Sequence, residues 1–355
     1  MAASKRIAFI DLAKGMCILL VVMGHLVPIF NDNLTFVFCF RMPLYFCLSG
    51  LFYKDYGGIR NLTVKKCNKI LIPFVAWYLI SYGIYFIGRE LTRSAIDAPY
   101  HILDILNTTD IYNIPIWFLL CLFWSNLLFA AIKIFAKSEI QIGIGVMIVA
   151  FVGWVLCLAD VFNFLYIGSS MSCLPFFYMG YALKKTNLLY PVTSVKTDLL
   201  IMSFCLLCAC LIAFLSDEPP RLLYYKNRVS YGNALQIYVC AAMFVVGILL
   251  LCKWIGHIPF VSWLGRYSII VLVTHMPLSA ILGVILESVI GQYVEPTTKY
   301  IINFTLVILS MMVIIPFCIK FLPHITAQKD VISDSTNEWF RRAVLEKICS
   351  KRIKS

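Results

Sequence analysis

A chain of 355 residues that is 61% hydrophobic and only 14% charged, with a mean hydropathy of +0.87, lies far from the profile of a soluble globular domain. It reads as a polytopic membrane protein. The formal charge of +12 does not indicate a nucleic-acid partner, because the basic residues are dispersed between apolar runs rather than gathered in a stripe with exposed aromatics.

Hydropathy predicts an all-α transmembrane bundle of ten spans, at about 7–29, 34–53, 70–88, 114–136, 140–159, 164–183, 198–215, 233–252, 265–286 and 299–322. An even number puts both termini on one side of the membrane. Of the 30 Lys and Arg, 22 fall on that side and 6 on the other, with Lys14 and Arg41 inside spans, so both termini are expected to be cytoplasmic. Residues 1–323 form the membrane domain in this reading and 324–355 a basic tail.

The first span starts after Lys5 and Arg6, as a secretory signal does, but its apolar run is too long and lacks a clear small-residue cleavage site, so it reads as a retained span. It carries Asp11, Lys14 and His25, which are costly in hydrocarbon at about 2.5 to 3.5 kcal/mol for a central Lys or Asp. At about 100° per residue, Lys14 and His25 differ by about 20° around the helix axis and Asp11 lies about 40° from His25. All three share a face, with His25 about 16 Å beyond Lys14, like one wall of a deep polar slot. Asp11 and Lys14, three residues apart, also suit a neutralising pair.

The second span returns through Arg41, at a depth similar to that of His25, and Pro43 just beyond it is expected to bend the helix. Tyr45 and Ser49 follow on this span, and Ser49-Gly50 also reads as a helix-packing pair. Lys65, Lys66 and Lys69 in the next inner loop are topology determinants that could also meet phosphates at a cytoplasmic mouth, as could Lys184 and Lys185. Trp117 sits near the outer end of the fourth span. Of the outer loops, 89–113 is acidic, whereas 216–233 mixes Tyr, Arg and Lys in a way that suits a carbohydrate or an anionic head group, or simply a solvated loop. Gly143 and Gly145 read as helix packing, and Cys205, Cys208 and Cys210 as small buried hydrophobes rather than a metal site. None of the 14 cysteines falls in an outer loop, so no disulfide framework is expected. The ninth span places His275 at mid-depth before Pro277, either as a hydrogen-bonded strut between helices or as a second reactive imidazole. In the tail, Ser335-Thr336-Asn337 could cap a helix with Phe340, Val344 and Ile348 opposite Arg341, Arg342 and Lys347, a basic amphipathic helix on the inner leaflet.

A histidine can take a proton from a hydroxyl, and an arginine beside it can hold developing negative charge. His25, Arg41, Asp11, Lys14 and His275 are therefore the candidate catalytic set. A polar slot of this kind could instead be a permeation path, which makes a transporter or flippase for a polysaccharide intermediate the rival reading.

In order along residues 5 to 322, the chain has Asp11-Leu12-Ala13-Lys14-Gly15 leading to Gly24-His25, Arg41-Met42-Pro43-Leu44-Tyr45-Phe46 with Leu48-Ser49-Gly50, Lys69 to Pro73, Trp117-Phe118-Leu119, Leu174-Pro175-Phe176-Phe177 with Gly180-Tyr181, and Ser268 through His275. This ordered set resembles the integral-membrane acyltransferase family 3, particularly its sugar O-acetylases. The resemblance implies an inner-membrane enzyme that moves an acyl group from acetyl-CoA or a related thioester to a glycan or glycolipid acceptor, with no metal. It carries the family's essential histidine onto His25; in this reading Lys14, Lys65, Lys66 and Lys69 are expected to meet the donor and Trp117, Ser49 and Tyr45 the acceptor. Two positions depart from the family pattern. Many members have Arg where Lys14 stands, which removes bidentate phosphate contact but keeps the charge, and many have His where Arg41 stands.

Overall fold

A backbone in hydrocarbon satisfies its polar groups within helices or closed barrels, and these apolar runs take the helical solution. The computed structural model describes residues 8–28, 39–92, 101–107, 111–159, 164–186, 195–216, 234–291 and 293–332, and it contains helices with no strand among them. The helices in chain order are α1 (Ala8–Leu26), α2 (Arg41–Leu51), α3 (Ile59–Lys66), α4 (Ile72–Thr92), α5 (Trp117–Phe135), α6 (Glu139–Leu158), α7 (Ile167–Leu183), α8 (Val195–Phe214), α9 (Ala234–Ile255), α10 (Pro259–Arg266), α11 (Ser268–Ile290) and α12 (Pro296–Phe321).

Among the described residues, eight helices are long and apolar enough to cross a membrane, against the ten spans expected. The two others are short for physical reasons. α2 starts at Arg41, so Pro43 falls in its first turn, where a missing N–H costs nothing, and it begins the helix instead of bending a longer one. Residues 29–38, the rest of the expected second span, lie outside the described residues. α7 has 17 residues because Leu165 and Tyr166 take left-handed backbone angles, φ 50° and 59°, and delay its start to Ile167.

Elsewhere helices run past the expected limits. α3 joins α4 through a π-helical turn, Cys67–Leu71, in one long helix whose polar first part, with Arg60, Lys65 and Lys66, escapes a hydropathy window. Gly256, at φ 79°, ends α9, and Pro259 opens the short α10, which breaks at Tyr267 before α11. Beyond its first turn α8 is apolar all round, with Leu200, Phe204, Leu207 and Leu211 exposed, and Cys205, Cys208 and Cys210 on it are partly exposed rather than buried as expected.

Two glycine crossings lock the part of the bundle that matters for function. A methyl group at Gly15 would lie 1.9 Å from the Val261 carbonyl oxygen, and one at Gly265 1.9 Å from that of Asp11, so α1 and α10 meet backbone to backbone. Gly50 against Phe177 and Gly180 against Cys47, both at 1.8 Å, do the same for α2 and α7. The packing expected of Ser49-Gly50 is therefore carried by Gly50. Gly143 and Gly145 also face side chains, Tyr178 and Ile132.

Residues 324–332, expected to begin the tail, fold back on α3 and α4. Asn68 accepts from the amides of Val331 and Ile332 at 2.8 Å each and donates to the Ile332 carbonyl at 2.9 Å. Trp77 Nε1 donates to the Ile325 carbonyl at 3.0 Å. The expected amphipathic helix at 340–348 lies outside the described residues.

Candidate active site

α1, α2 and α11 bring the intramembrane polar residues together. Rigid backbone contact with α10 fixes α1, and with it Lys14 near one end and partly buried His25 near the other. α2 runs back beside α1, its Tyr45 hydroxyl donating to the Lys14 carbonyl at 3.0 Å and its Arg41 Nη1 to the Leu20 carbonyl at 3.3 Å. Cys17 Sγ in turn donates to the Arg41 carbonyl at 2.7 Å. Arg41 thus sits beside α1 within electrostatic reach of His25, as similar depth on antiparallel spans predicted.

The placement of Arg41 is unfavourable for the helix itself. The N-terminus of α2 already carries the positive end of the helix dipole, which a cation opposes. A buried arginine there makes an electropositive point next to an imidazole, the arrangement that stabilises a developing oxyanion.

α11 brings His275 to the same place. Its ring centroid is 5.8 Å from that of His25, with the rings tilted by 41°. His275 is fully buried, and its Nδ1 lies 2.9 Å from the Val271 carbonyl, one turn back in its own helix. The histidines of the first and ninth spans therefore form a pair, which separate readings of each span could not reveal.

Below the pair is a cavity of about 230 Å³, lined at one end by Lys14, Lys66 and Phe52 and further in by Tyr45, Ser49, Phe118, Leu119, Ser268 and Leu272. Leu272 is one helical turn before His275, and Ile18, also in the lining, is two turns before His25. Its mostly apolar wall carries two lysines and comes within one helical turn of His275 at Leu272, while His25, His275 and Arg41 are not themselves part of the lining. Lys14 Nζ stands 5.4 Å over the Phe52 ring at its mouth.

The other expected residues separate into three groups. Lys66, Tyr45 and Ser49 line the cavity. Lys65 and Lys69 turn to the other side and hold Asp330 of the folded-back segment, at 2.6 and 2.9 Å. Trp117 packs on Tyr166 and Phe118 next to the lining, and Asp11 lies in the first turn of α1 against Gly265. Of the residues that sequence reasoning did not single out, Phe52, Phe118 and Ser268 line the cavity. Phe118 and Ser268 left a trace as members of the ordered motif set, Ser268 as a hydroxyl about two turns before His275. No group of three metal-ligating side chains occurs among the described residues.

A family model described as an acyltransferase domain matches residues 7–320, nearly the whole membrane bundle. No curated protein and no solved structure matches the chain.

Proposed function

This chain belongs to the integral-membrane acyltransferases of family 3, and from that membership we propose that it moves an acetyl or similar acyl group from acyl-CoA to a hydroxyl of a cell-surface polysaccharide or lipid-linked sugar. This reading puts the protein in the inner membrane with both termini cytoplasmic, as the Lys and Arg distribution suggests, so that Lys14 and Lys66 face the compartment that holds the thioester. The observation that carries the reading is a cavity lined by those lysines and by Leu272, one helical turn before His275, whose ring pairs with that of His25 within electrostatic reach of Arg41.

In this reading the acyl arm of the donor enters past Lys14 and Lys66, and the acceptor approaches from the outer side. His25 removes the proton of the acceptor hydroxyl as its oxygen attacks the thioester carbonyl. The C–O bond forms, negative charge collects on the carbonyl oxygen, and Arg41 stabilises it. The C–S bond then breaks, and the thiolate takes up the proton held by His25. A variant of the same scheme lets His25 carry the acyl group between donor and acceptor.

The test is transfer of label from acetyl-CoA to glycan in membrane vesicles. His25→Ala should lower turnover by about 10²- to 10⁴-fold, the range for a positioned acid–base group. Full activity in that variant removes the proposed base. Movement of unmodified glycan without thioester turnover would identify a transporter.

A further inference from the structure

A histidine inside a membrane bundle usually repays its burial by bridging two helices through hydrogen bonds. His275 does not do so. Its Nδ1 bonds to the carbonyl of Val271 in its own helix, and its Nε2, fully buried, has no hydrogen-bond partner among the described residues. Since a carbonyl only accepts, Nδ1 must carry the proton, which leaves the lone pair of a neutral ring on Nε2. The structure therefore maintains a buried, tautomerically fixed acceptor at a cost and gains no interhelical bond from it.

The group beside that acceptor is the ring of His25, at 5.8 Å between centroids. With about 1.2 Å from each centroid to a ring nitrogen, nitrogens placed on the line between the rings would stand about 3.4 Å apart, slightly longer than a hydrogen bond. Catalytic hydrogen bonds are commonly long before substrate is bound, and closing this one takes a movement of a few tenths of an ångström.

We propose that His275 is the positioning residue of His25: Nε2 of His275 accepts the N–H of one His25 nitrogen and so fixes the lone pair of the other toward the acceptor hydroxyl. This is the service a carboxylate gives to the histidine of a serine-hydrolase triad, with two differences. The orienting group is neutral, and its own tautomer is set by a backbone carbonyl. A neutral orienter suits a site that already holds the Arg41 guanidinium and in which His25 must release its proton again to the departing thiolate.

The inference rests on His25 being the base, and the test separates the two. Three variants are compared in vesicles with labelled acetyl-CoA and glycan acceptor: His25→Ala, His275→Leu and His275→Gln. Leu fills the buried site without a polar atom, and Gln restores an acceptor. His275→Leu should keep or raise the melting temperature in detergent, because an unsatisfied buried nitrogen is removed, while kcat falls about a hundredfold with KM for acetyl-CoA little changed. His275→Gln should recover a substantial part of kcat. A strut or packing role predicts instead that stability and activity fall together and that Gln rescues neither, which would overturn the proposal. Wild-type kcat in His275→Leu with an inactive His25→Ala would overturn it while leaving the base in place. Full activity of His25→Ala would remove both.

Discussion

Gly265 rests against the backbone of Asp11 so closely that a methyl group on it would lie 1.9 Å from the Asp11 carbonyl oxygen and 2.4 Å from the Gly15 amide nitrogen. Both neighbours are main chain, so no side chain can rotate away, and Gly265→Ala must push α10 off α1. The expected cost is about 1–3 kcal/mol, the range for overpacking a tight contact. α1 carries Lys14 and His25, so activity should fall with stability. Gly83→Ala is the control, because nothing lies within 4 Å of a methyl at that helical position, and it should stabilise by roughly 0.5–1 kcal/mol. Thermal unfolding of the two variants in one detergent, read side by side, checks the contrast.

Lys14 and Lys66 are the cations that line the cavity mouth, whereas Lys65 and Lys69 are engaged with Asp330. If the anionic end of the donor meets the mouth, Lys14→Met and Lys66→Met should each raise KM for acetyl-CoA by about tenfold, the effect of a lost contact worth about 1.4 kcal/mol, with kcat less affected. Lys65→Met should leave KM nearly unchanged. Initial rates over a range of donor concentration distinguish the pairs, and equal effects from Lys65 and Lys66 would show that the mouth does not discriminate between them.

Much of this arrangement could be read from the sequence. Charges and imidazoles in apolar helices have few structural uses, and helical geometry alone put Lys14 and His25 on one face and Arg41 at the depth of His25. What could not be read depends on which helices are neighbours. Nothing local links His275 to His25, since 249 residues of chain separate them and the pairing follows from how α11 packs on α1. The cavity walls were hidden for a related reason: Phe118 and Leu119 stand out in the sequence only as part of a motif, and their place in the wall comes from lining the same cavity as Tyr45 and Ser49. The division of Lys65, Lys66 and Lys69 follows ordinary helical spacing, with Lys65 and Lys69 four residues apart on one face and Lys66 about 100° round from Lys65, but the partner that reveals it, Asp330, comes from the folded-back segment. The short α10 carries too few residues for a hydropathy window, although Pro259 marks its start.

Asp330 ties the folded-back segment to Lys65 of α3 and to Lys69 in the π-helical turn that follows it. Burial alone would raise its pKa, but the hydrogen bonds and charges of Lys65 and Lys69 outweigh this and hold it below its ordinary value of 3.8. A carboxyl whose pKa is depressed on folding contributes stability above its unfolded value, and that contribution is lost as pH falls through the folded value. The attachment of residues 324–332 should therefore be insensitive to pH from neutrality down to about 4 and weaken below it. Hydrogen exchange at the amides of Val331 and Ile332, which Asn68 accepts, reports this directly. Asp330→Asn should lower protection at neutral pH and abolish the acid-dependent step. Unchanged protection in that variant would mean that Asn68 and Trp77 hold the segment without the ion pairs.

Arg41 gives the sharpest separation of charge from geometry. It starts α2, where its charge opposes the helix dipole, and it reaches the Leu20 carbonyl with one guanidinium nitrogen while lying near His25. Arg41→Lys keeps the charge but replaces the planar fork with a compact ammonium on a shorter reach. Arg41→Gln removes the charge and keeps a donor. If the role is to stabilise an oxyanion, Gln should lower kcat by about 10²- to 10³-fold, as removal of an oxyanion-hole donor does, with Lys intermediate. The helix should tolerate Gln at least as well as Arg, since the unfavourable dipole interaction disappears. Circular dichroism and melting of Arg41→Gln in detergent, set beside its kcat, decide the matter. A variant that unfolds more readily and stays proportionately active would assign Arg41 to packing α2 on α1, and a folded variant with little turnover would assign it to the chemistry.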